Sequence, residues 1–392
     1  MNTSKYEKLT IYFLIFLIVL LISYFSIFLS IAAIALLLVF FDNFFSKGVV
    51  AIFLIFSISY LQSEFSPESD SLQYLNYFKN VYLDLEGNEQ LSSRTFELAW
   101  ELYINGLSKL ITPNFFFFCN TLVLYSLAMF ASYKVDAGRG TYLMIFLIFC
   151  FLGFSNNLNF LIRQYYASIL IILFFIFWEI STLRRVFFLL LSIGFHLSSI
   201  IYLPLINGKF VSFVNKKYLT IIFLSSLLSY LIDLDSIIYI YQKFEGAFFV
   251  DRLRYYNNQD TSSSIISIYF FEKVIFLSLI LRVELSGLTS TEKRFRALLI
   301  YSFSLALVFS NIAVLSERLG MMFTLFFGFF VFIPLNNFNK ISFFKFKINP
   351  ILVFYFYLPF RIIFWGFSNE ETHIIKYFSG NILSIGFNNF FS

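Results

Sequence analysis

Two arginines interrupt otherwise apolar runs: Arg163 in NNLNFLIRQYYASILIILFF, residues 156–175, and Arg318 in LSERLGMMFTLFF, residues 315–327. A charge at membrane depth costs about 2.5–3.5 kcal/mol on insertion scales, so each needs a reason to be there. Each arginine is expected to open a helix, where free N–H groups and the helix dipole already favour an anion. The planar guanidinium fork adds a geometric match to phosphate oxygens. Two such helix ends facing one outer cavity would hold a diphosphate. The plainer alternative is a guanidinium reaching an interface, with Glu317 neutralising Arg318.

Further residues could do chemistry around such a site. His196, in LLLSIGFHLSSIIYLP, is one of two histidines in the chain. It reads either as a packed polar group or as a base or proton carrier near working pH. Asp70, in SPESDSLQYLNYFKN, shares a helical face with Tyr74 and Tyr77. A carboxylate beside aromatic rings suits sugar binding, and equally suits the start of a helix. Glu97, near Trp100 and Glu101, has the same double reading. In FEGAFFVDRLRYYNNQDTSSS, Arg252 and Arg254 meet Tyr255 and Tyr256, a mixture that could line a carbohydrate groove or simply form an exposed loop. Glu272 and Lys273 fall inside an apolar run and point to different sides of a helix, so one of them faces a cavity or the helix starts later.

These residues need elements to carry them. The chain is 59% hydrophobic and 13% charged, against about 25% charge in soluble domains. Apolar runs recur along its length, so the fold class is all-α, a polytopic integral membrane protein with about 11–12 transmembrane helices. Residues 9–41 are too long for one span of about 20 residues and divide near Ser26 into two. Further spans are expected at 48–62, 114–132, 141–155, 161–180, 186–206, 218–235, 263–283, 297–313, 318–334 and 349–366. The opening MNTSKYEKLT leads into an anchor, not a cleaved signal. Cys119 and Cys150 lie in apolar runs and read as small hydrophobes.

Loops rich in Lys and Arg belong on the cytoplasmic side. Lys5, Lys8, Lys47, Lys134, Arg139, Arg184 and Arg185 share one side if each early run crosses once. Segment 63–113 then lies outside, with acids Glu64, Glu68, Asp70, Asp84, Glu86, Glu89, Glu97 and Glu101 against bases Lys79, Arg94 and Lys109. Lys209, Lys216 and Lys217 break the pattern unless 186–206 re-enters, turning near Gly194–His196. Either that or an ordinary span with a locally broken charge rule fits. Re-entrant backbone is allowed where protein or a wet cavity covers it. Two loops, 63–113 and 236–262, exceed ordinary connection length and read as extracytoplasmic parts of one membrane domain covering 1–392. The first ends in an amphipathic helix with Phe96, Ala99, Trp100, Tyr103, Leu107 and Leu110 near a helical period. No Walker A, GxGxxG, HExxH or CxxC pattern is present, which argues against ATP coupling and against a zinc mechanism.

The order of these motifs resembles the EpsG-like and Wzy-type polymerases of bacterial surface polysaccharide, over about residues 60–335. The resemblance rests on Asp70-x3-Tyr74, Glu97, NFLIRQ ending in Gln164, FHLSSIIYLP (195–204), RLRYY (252–256) and ERLGMMF (317–323). It implies a fold like the large GT-C-like membrane glycosyltransferases, in the bacterial inner membrane, with the site on the extracytoplasmic face. It implies an inverting transfer of a growing glycan from undecaprenyl pyrophosphate to a sugar hydroxyl on the next lipid-linked unit. Under it, Arg163 and Arg318 bind the pyrophosphate, with Arg252 and Arg254 in reserve. His196, Asp70 or Glu97 takes the acceptor proton, while Tyr74, Gln164, Tyr255 and Tyr256 bind sugar. No cofactor and no metal need be invoked, although the outer acids could bind a divalent ion with pyrophosphate. The implied partners are the lipid-linked oligosaccharides, membrane lipid, a chain-length regulator and a flippase, with no nucleic acid. A polysaccharide ligase, a lipid-linked sugar flippase and, less readily, a membrane acyltransferase are the alternatives.

Overall fold

The computed structural model describes residues 44–63, 70–83, 97–136, 142–152, 161–230, 268–311 and 313–333, with Ile31, Ile34, Asn337 and Tyr357. Every regular element among the described residues is helical, as the all-α expectation requires. Apart from those isolated positions, the expected spans 9–24, 26–41 and 349–366 lie outside the described residues. So does the loop 236–262 with Arg252, Arg254, Tyr255 and Tyr256.

The chain divides into two compact units. The first comprises Met1–Glu89, Asn105–Leu152 and Lys347–Ser392, and the second Gln90–Ile104 with Gly153–Phe346. In chain order come α1 (Phe44–Ser63), α2 (Asp70–Leu83), α3 (Leu98–Ser108), α4 (Phe116–Asp136) and α5 (Tyr142–Leu152). In the first unit α4 packs on α1, where the Thr121 hydroxyl donates to the Ser59 carbonyl at 3.2 Å. Phe78 of α2 meets Phe116 at 4.7 Å. Pro113 starts a 3-10 turn that runs into α4, so Pro113–Val135 forms 23 residues of continuous helix, long and apolar enough to cross a membrane.

The second unit holds α6 (Ile162–Ile176), α7 (Thr182–Phe195), a ten-residue 3-10 leg (Leu197–Ile206), α8 (Gly208–Lys216), α9 (Tyr218–Ser229), α10 (Ile268–Arg282) and α11 (Ser290–Val308). The short helices α12 (Ala313–Leu319) and α13 (Met321–Thr324) follow. Segment 186–206 is a hairpin. After α7 the chain turns at His196 and runs back, with Ser192 of α7 bonded to Ser199 of the leg at 2.8 Å and to the Ala167 carbonyl at 2.7 Å. At the far end Arg294 donates to the carbonyls of Leu205 at 2.6 Å and Ile206 at 3.3 Å. The same guanidinium lies 3.5 Å from the Trp178 ring centroid, just beyond the end of α6, with Arg185 on that ring at 4.3 Å. The 3-10 rise explains how so short a run makes two legs: 14 residues at about 1.5 Å and ten at about 2.0 Å both span about 20 Å. Ser199, Tyr202 and Leu205 are the buried residues of the leg, spaced by three as the 3-10 repeat demands.

The hairpin puts Lys209, Lys216 and Lys217 at the end of the unit that carries Arg185 and Arg294. There α8 turns away from the leg by 83°, with Asn207 capping its N-terminus. Residue 297, where the apolar run suggested a span, is not where α11 begins. A capping box of Thr289 and Glu292 starts it at Ser290, so Arg294 and Arg296 are helical and buried. Arg296 donates to the carbonyls of Leu281 at 3.0 Å and Val283 at 3.4 Å, closing the C-terminus of α10 as Arg294 closes the leg.

The run 318–334 is not one helix. Ser316 bonds the Ala306 carbonyl, the Phe323 amide bonds Ser302, and Asn337 reaches Glu292, so this run descends antiparallel to α11. It breaks at Gly320 and again after Thr324. The carbonyls freed there are taken up by Tyr202, whose hydroxyl donates to Leu319 at 3.3 Å, and by Lys273, whose ammonium donates to Thr324. Lys273 is thereby the residue of the 272–273 pair that turns to the broken run.

Gly320 is required by packing: a Cβ there would meet Ala306 Cβ at 2.5 Å and the Ser316 carbonyl at 2.6 Å. Gly320→Ala is expected to lower stability by about 1–3 kcal/mol, read as a lower thermal unfolding midpoint of the purified protein. Adding Ala306→Gly should restore part of the loss, and an unchanged midpoint in the single variant would contradict the close approach.

Candidate active site

One end of the second unit gathers charged and polar groups from four segments. Arg163 is the second residue of α6, in its first turn as the sequence suggests, and the preceding Leu161 offers no side-chain cap. Its Nη1 pairs with Oε2 of Glu97, the residue that leads into α3. The pair is half-buried, with side-chain exposures of 19% for Arg163 and 23% for Glu97. The other carboxylate oxygen, Oε1, accepts the Leu197 backbone N–H at 3.4 Å, at the start of the 3-10 leg. Glu97 therefore ties α3, α6 and the leg together.

Glu97 reaches that far because α3 lies directly on α7. A Cβ on Gly194 would stand 2.8 Å from Ala99 Cβ. Beside this contact Trp100 is fully buried, and the Tyr166 ring stacks on Phe195 at 5.0 Å with an interplanar angle of 20°. The Tyr103 and Tyr166 hydroxyls share a hydrogen bond of 3.0 Å. The amphipathic face expected for this segment is present at Trp100 and Tyr103, but Leu110 is 80% exposed because the helix has ended at Ser108.

His196 stands at the hairpin turn, and the charges of Arg163, Glu97 and Arg318 all act on it. Ser168 of α6 donates to Met321 Sδ at 3.3 Å and Tyr165 meets Phe326 at 5.0 Å, which hold the broken run beside α6. Arg318 does not open a helix as the sequence suggested. It lies in the last turn of α12, because the chain can only bend where Gly320 lets it approach α11. At a helix C-terminus the guanidinium complements the dipole.

Gln164, next to Arg163, is 5% exposed, and its Oε1 has no hydrogen-bond partner among the described residues. An amide oxygen left so in apolar surroundings costs about 1–3 kcal/mol. Asp70 and Tyr74 belong to the first unit, where Asp70 begins α2 and Tyr74 is buried. Among the described residues no group of three or more His, Cys, Asp or Glu side chains is placed to hold a metal ion. The sequence reading did not anticipate the Glu97–Arg163 pair or the roles of Gly194, Tyr202 and Gly320. The glycines were visible, but nothing in the sequence says what they approach.

The EpsG family model matches residues 48–379. The chain belongs to the EpsG family. No curated protein and no solved structure matches it. Membership in the EpsG family gives the chain a polysaccharide-polymerase type of role, glycosyltransferase-like and membrane-associated. The matched region contains every residue of the cluster described above.

The orphaned amide oxygen of Gln164 separates a stabilising role from a functional one. Gln164→Met, similar in volume and without the buried acceptor, is expected to raise the unfolding midpoint of the ligand-free protein, by about 1 kcal/mol in stability, while reducing glycan synthesis in cells. A lower midpoint would show that Gln164 is bonded within the fold.

Proposed function

We propose that this EpsG-family protein is a multi-pass inner-membrane polymerase that lengthens a surface polysaccharide on the extracytoplasmic face. The growing glycan is transferred from undecaprenyl pyrophosphate to a sugar hydroxyl of the next lipid-linked repeat unit, with inversion at the anomeric carbon. The observation that carries this reading is the Arg163 guanidinium paired with Glu97, whose other oxygen holds the Leu197 amide beside His196, with the charge of Arg318 reaching the same imidazole. Of these four groups two are guanidiniums and one is a carboxylate, so the cluster favours an anion.

In the reaction the bond between the anomeric carbon and the pyrophosphate oxygen breaks, and its electron pair leaves with the pyrophosphate. The acceptor oxygen forms the new bond to that carbon and gives up its proton to a base. The donor already holds the bond energy, so no nucleotide is consumed. Negative charge grows on the leaving group, and guanidiniums fixed in advance stabilise that state more than the ground state. Arg163 is fixed by Glu97, and the backbone that carries Arg318 is fixed by the packing of the broken run on α11. Asp70, Glu97 or His196 is the candidate for the base that takes the acceptor proton, and Gln164 with Tyr74, Tyr255 and Tyr256 is proposed to bind sugar. Arg252 and Arg254 are further candidates for the pyrophosphate.

The hairpin supports the proposed sidedness. With 182–206 entering and returning, Lys209, Lys216 and Lys217 join Arg184, Arg185 and Lys293 on one side, which the charge rule makes cytoplasmic. The cluster at His196 then opens to the opposite face. In a variant lacking Cys119 and Cys150, a cysteine at Ser212 should react with an impermeant maleimide only from the cytoplasmic side. One at Leu98 should react only from outside. Labelling of both from one side would refute the proposed arrangement.

The lipid-linked glycans of a deletion strain test the function directly. Single repeat units should accumulate, whereas long unattached chains would mean a ligase and cytoplasmic-side intermediates a flippase. Arg163→Lys keeps the charge and the chance of pairing with Glu97 but loses the fork, and should cut chain growth by about 10²-fold or more at normal protein abundance. Long polysaccharide made by that variant would remove Arg163 from the mechanism.

A further inference from the structure

The hairpin turn determines which way His196 can trade protons. Its ring folds back along the chain, so that Nδ1 accepts the Ser198 backbone N–H at 3.2 Å and lies 2.7 Å from Ser198 Oγ. A backbone amide can only donate, so Nδ1 presents its lone pair and the hydrogen of the neutral ring is on Nε2. The same bond is the N-cap of the 3-10 leg. A hydrogen on Nδ1 would face the amide hydrogen and uncap the leg, so the tautomer is part of the fold. A general base needs a free lone pair pointed at the acceptor hydroxyl, and the only one on this ring is already engaged.

What the ring has to offer is a donor. Arg163 and Arg318, the groups whose charges act on His196 with Glu97, are the donors assigned to the pyrophosphate. We propose that His196 is a fixed, neutral hydrogen-bond donor whose Nε2–H binds an oxygen of the leaving pyrophosphate and does not take the acceptor proton. This rests on the polymerase reading and completes it. As the bond from anomeric carbon to pyrophosphate oxygen breaks, the electron pair moves onto the phosphate and the Nε2–H bond to it shortens without proton transfer. The acceptor proton passes to a carboxylate, and His196 emerges in the tautomer in which it began. Ser198 is a positioning residue: it holds the ring and touches no reacting atom.

The chain contains two histidines, His196 and His373, so a His373→Gln variant leaves one imidazole. Full-length protein of that variant, labelled with 15N-histidine and held in lipid nanodiscs at neutral pH, should show a protonated Nε2 and an unprotonated Nδ1. A ring protonated on Nδ1, alone or together with Nε2, overturns the proposal. The second arm is chain growth in cells. His196→Gln, which can still present an N–H, should retain activity within about tenfold of the native protein, whereas His196→Ala should lose about 10²-fold or more. Equal loss in the two variants, at equal abundance, also overturns it. The spectrum reads the ring without turnover, so a deletion strain that accumulates something other than single repeat units would sink the polymerase reading separately.

Discussion

The bonds from Arg294 to the carbonyls of Leu205 and Ile206 hold the arrangement on which the rest of the second unit depends. A chain that turns back on itself leaves carbonyls with no partner in their own helix, and where they are buried another donor must take them. Arg294 meets that demand at the base of the 3-10 leg, Arg296 at the end of α10, and Tyr202 and Lys273 at the two breaks of the run after α12. The charged and phenolic groups that looked out of place in a greasy sequence are largely the closure of its irregular backbone. Trp178, just beyond the end of α6, receives both Arg294 and Arg185 on its ring.

At the opposite end the same economy produces a site. Glu97 bonds both Arg163 and the first amide of the leg, so the carboxylate that orients the guanidinium also anchors the turn beside His196. The Gly194–Ala99 contact sets how closely α3 can lie on α7, and hence whether Glu97 arrives at all. Catalysis by stabilising a leaving anion needs donors that do not reorganise when charge appears. On the proposed mechanism two such groups are fixed in advance, Arg163 by its ion pair with Glu97 and His196 by its own backbone.

Much of this was legible in the residues. The apolar runs place most helices to within a few residues, the flanking lysines left a turn near Gly194–His196 as one of two fitting readings, and Arg163 lies in the first turn of a helix as expected. The boundaries that failed did so for physical reasons. Arg294 and Arg296 fell outside the expected span 297–313 because hydropathy takes no account of a buried charge, although Thr289 and Glu292 spelled out a helix start at Ser290. Arg318 was assigned to a helix start because hydropathy does not register the bend that Gly320 permits. The pairing of Glu97 with Arg163, 66 residues apart, depends on how α3 packs, and no local pattern carries that.

The geometry of the returning leg has a consequence for how such chains can vary. Each residue there advances the backbone about 2.0 Å and rotates it by a third of a circle. Removing or adding three residues would leave the positions of Ser199, Tyr202 and Leu205 facing inward while moving the floor of the loop by about 6 Å. Depth and facing are thus separately adjustable, and a lineage could tune how far its turn stands from the opposite surface, in steps of a single coil, without rebuilding the wall against which it packs.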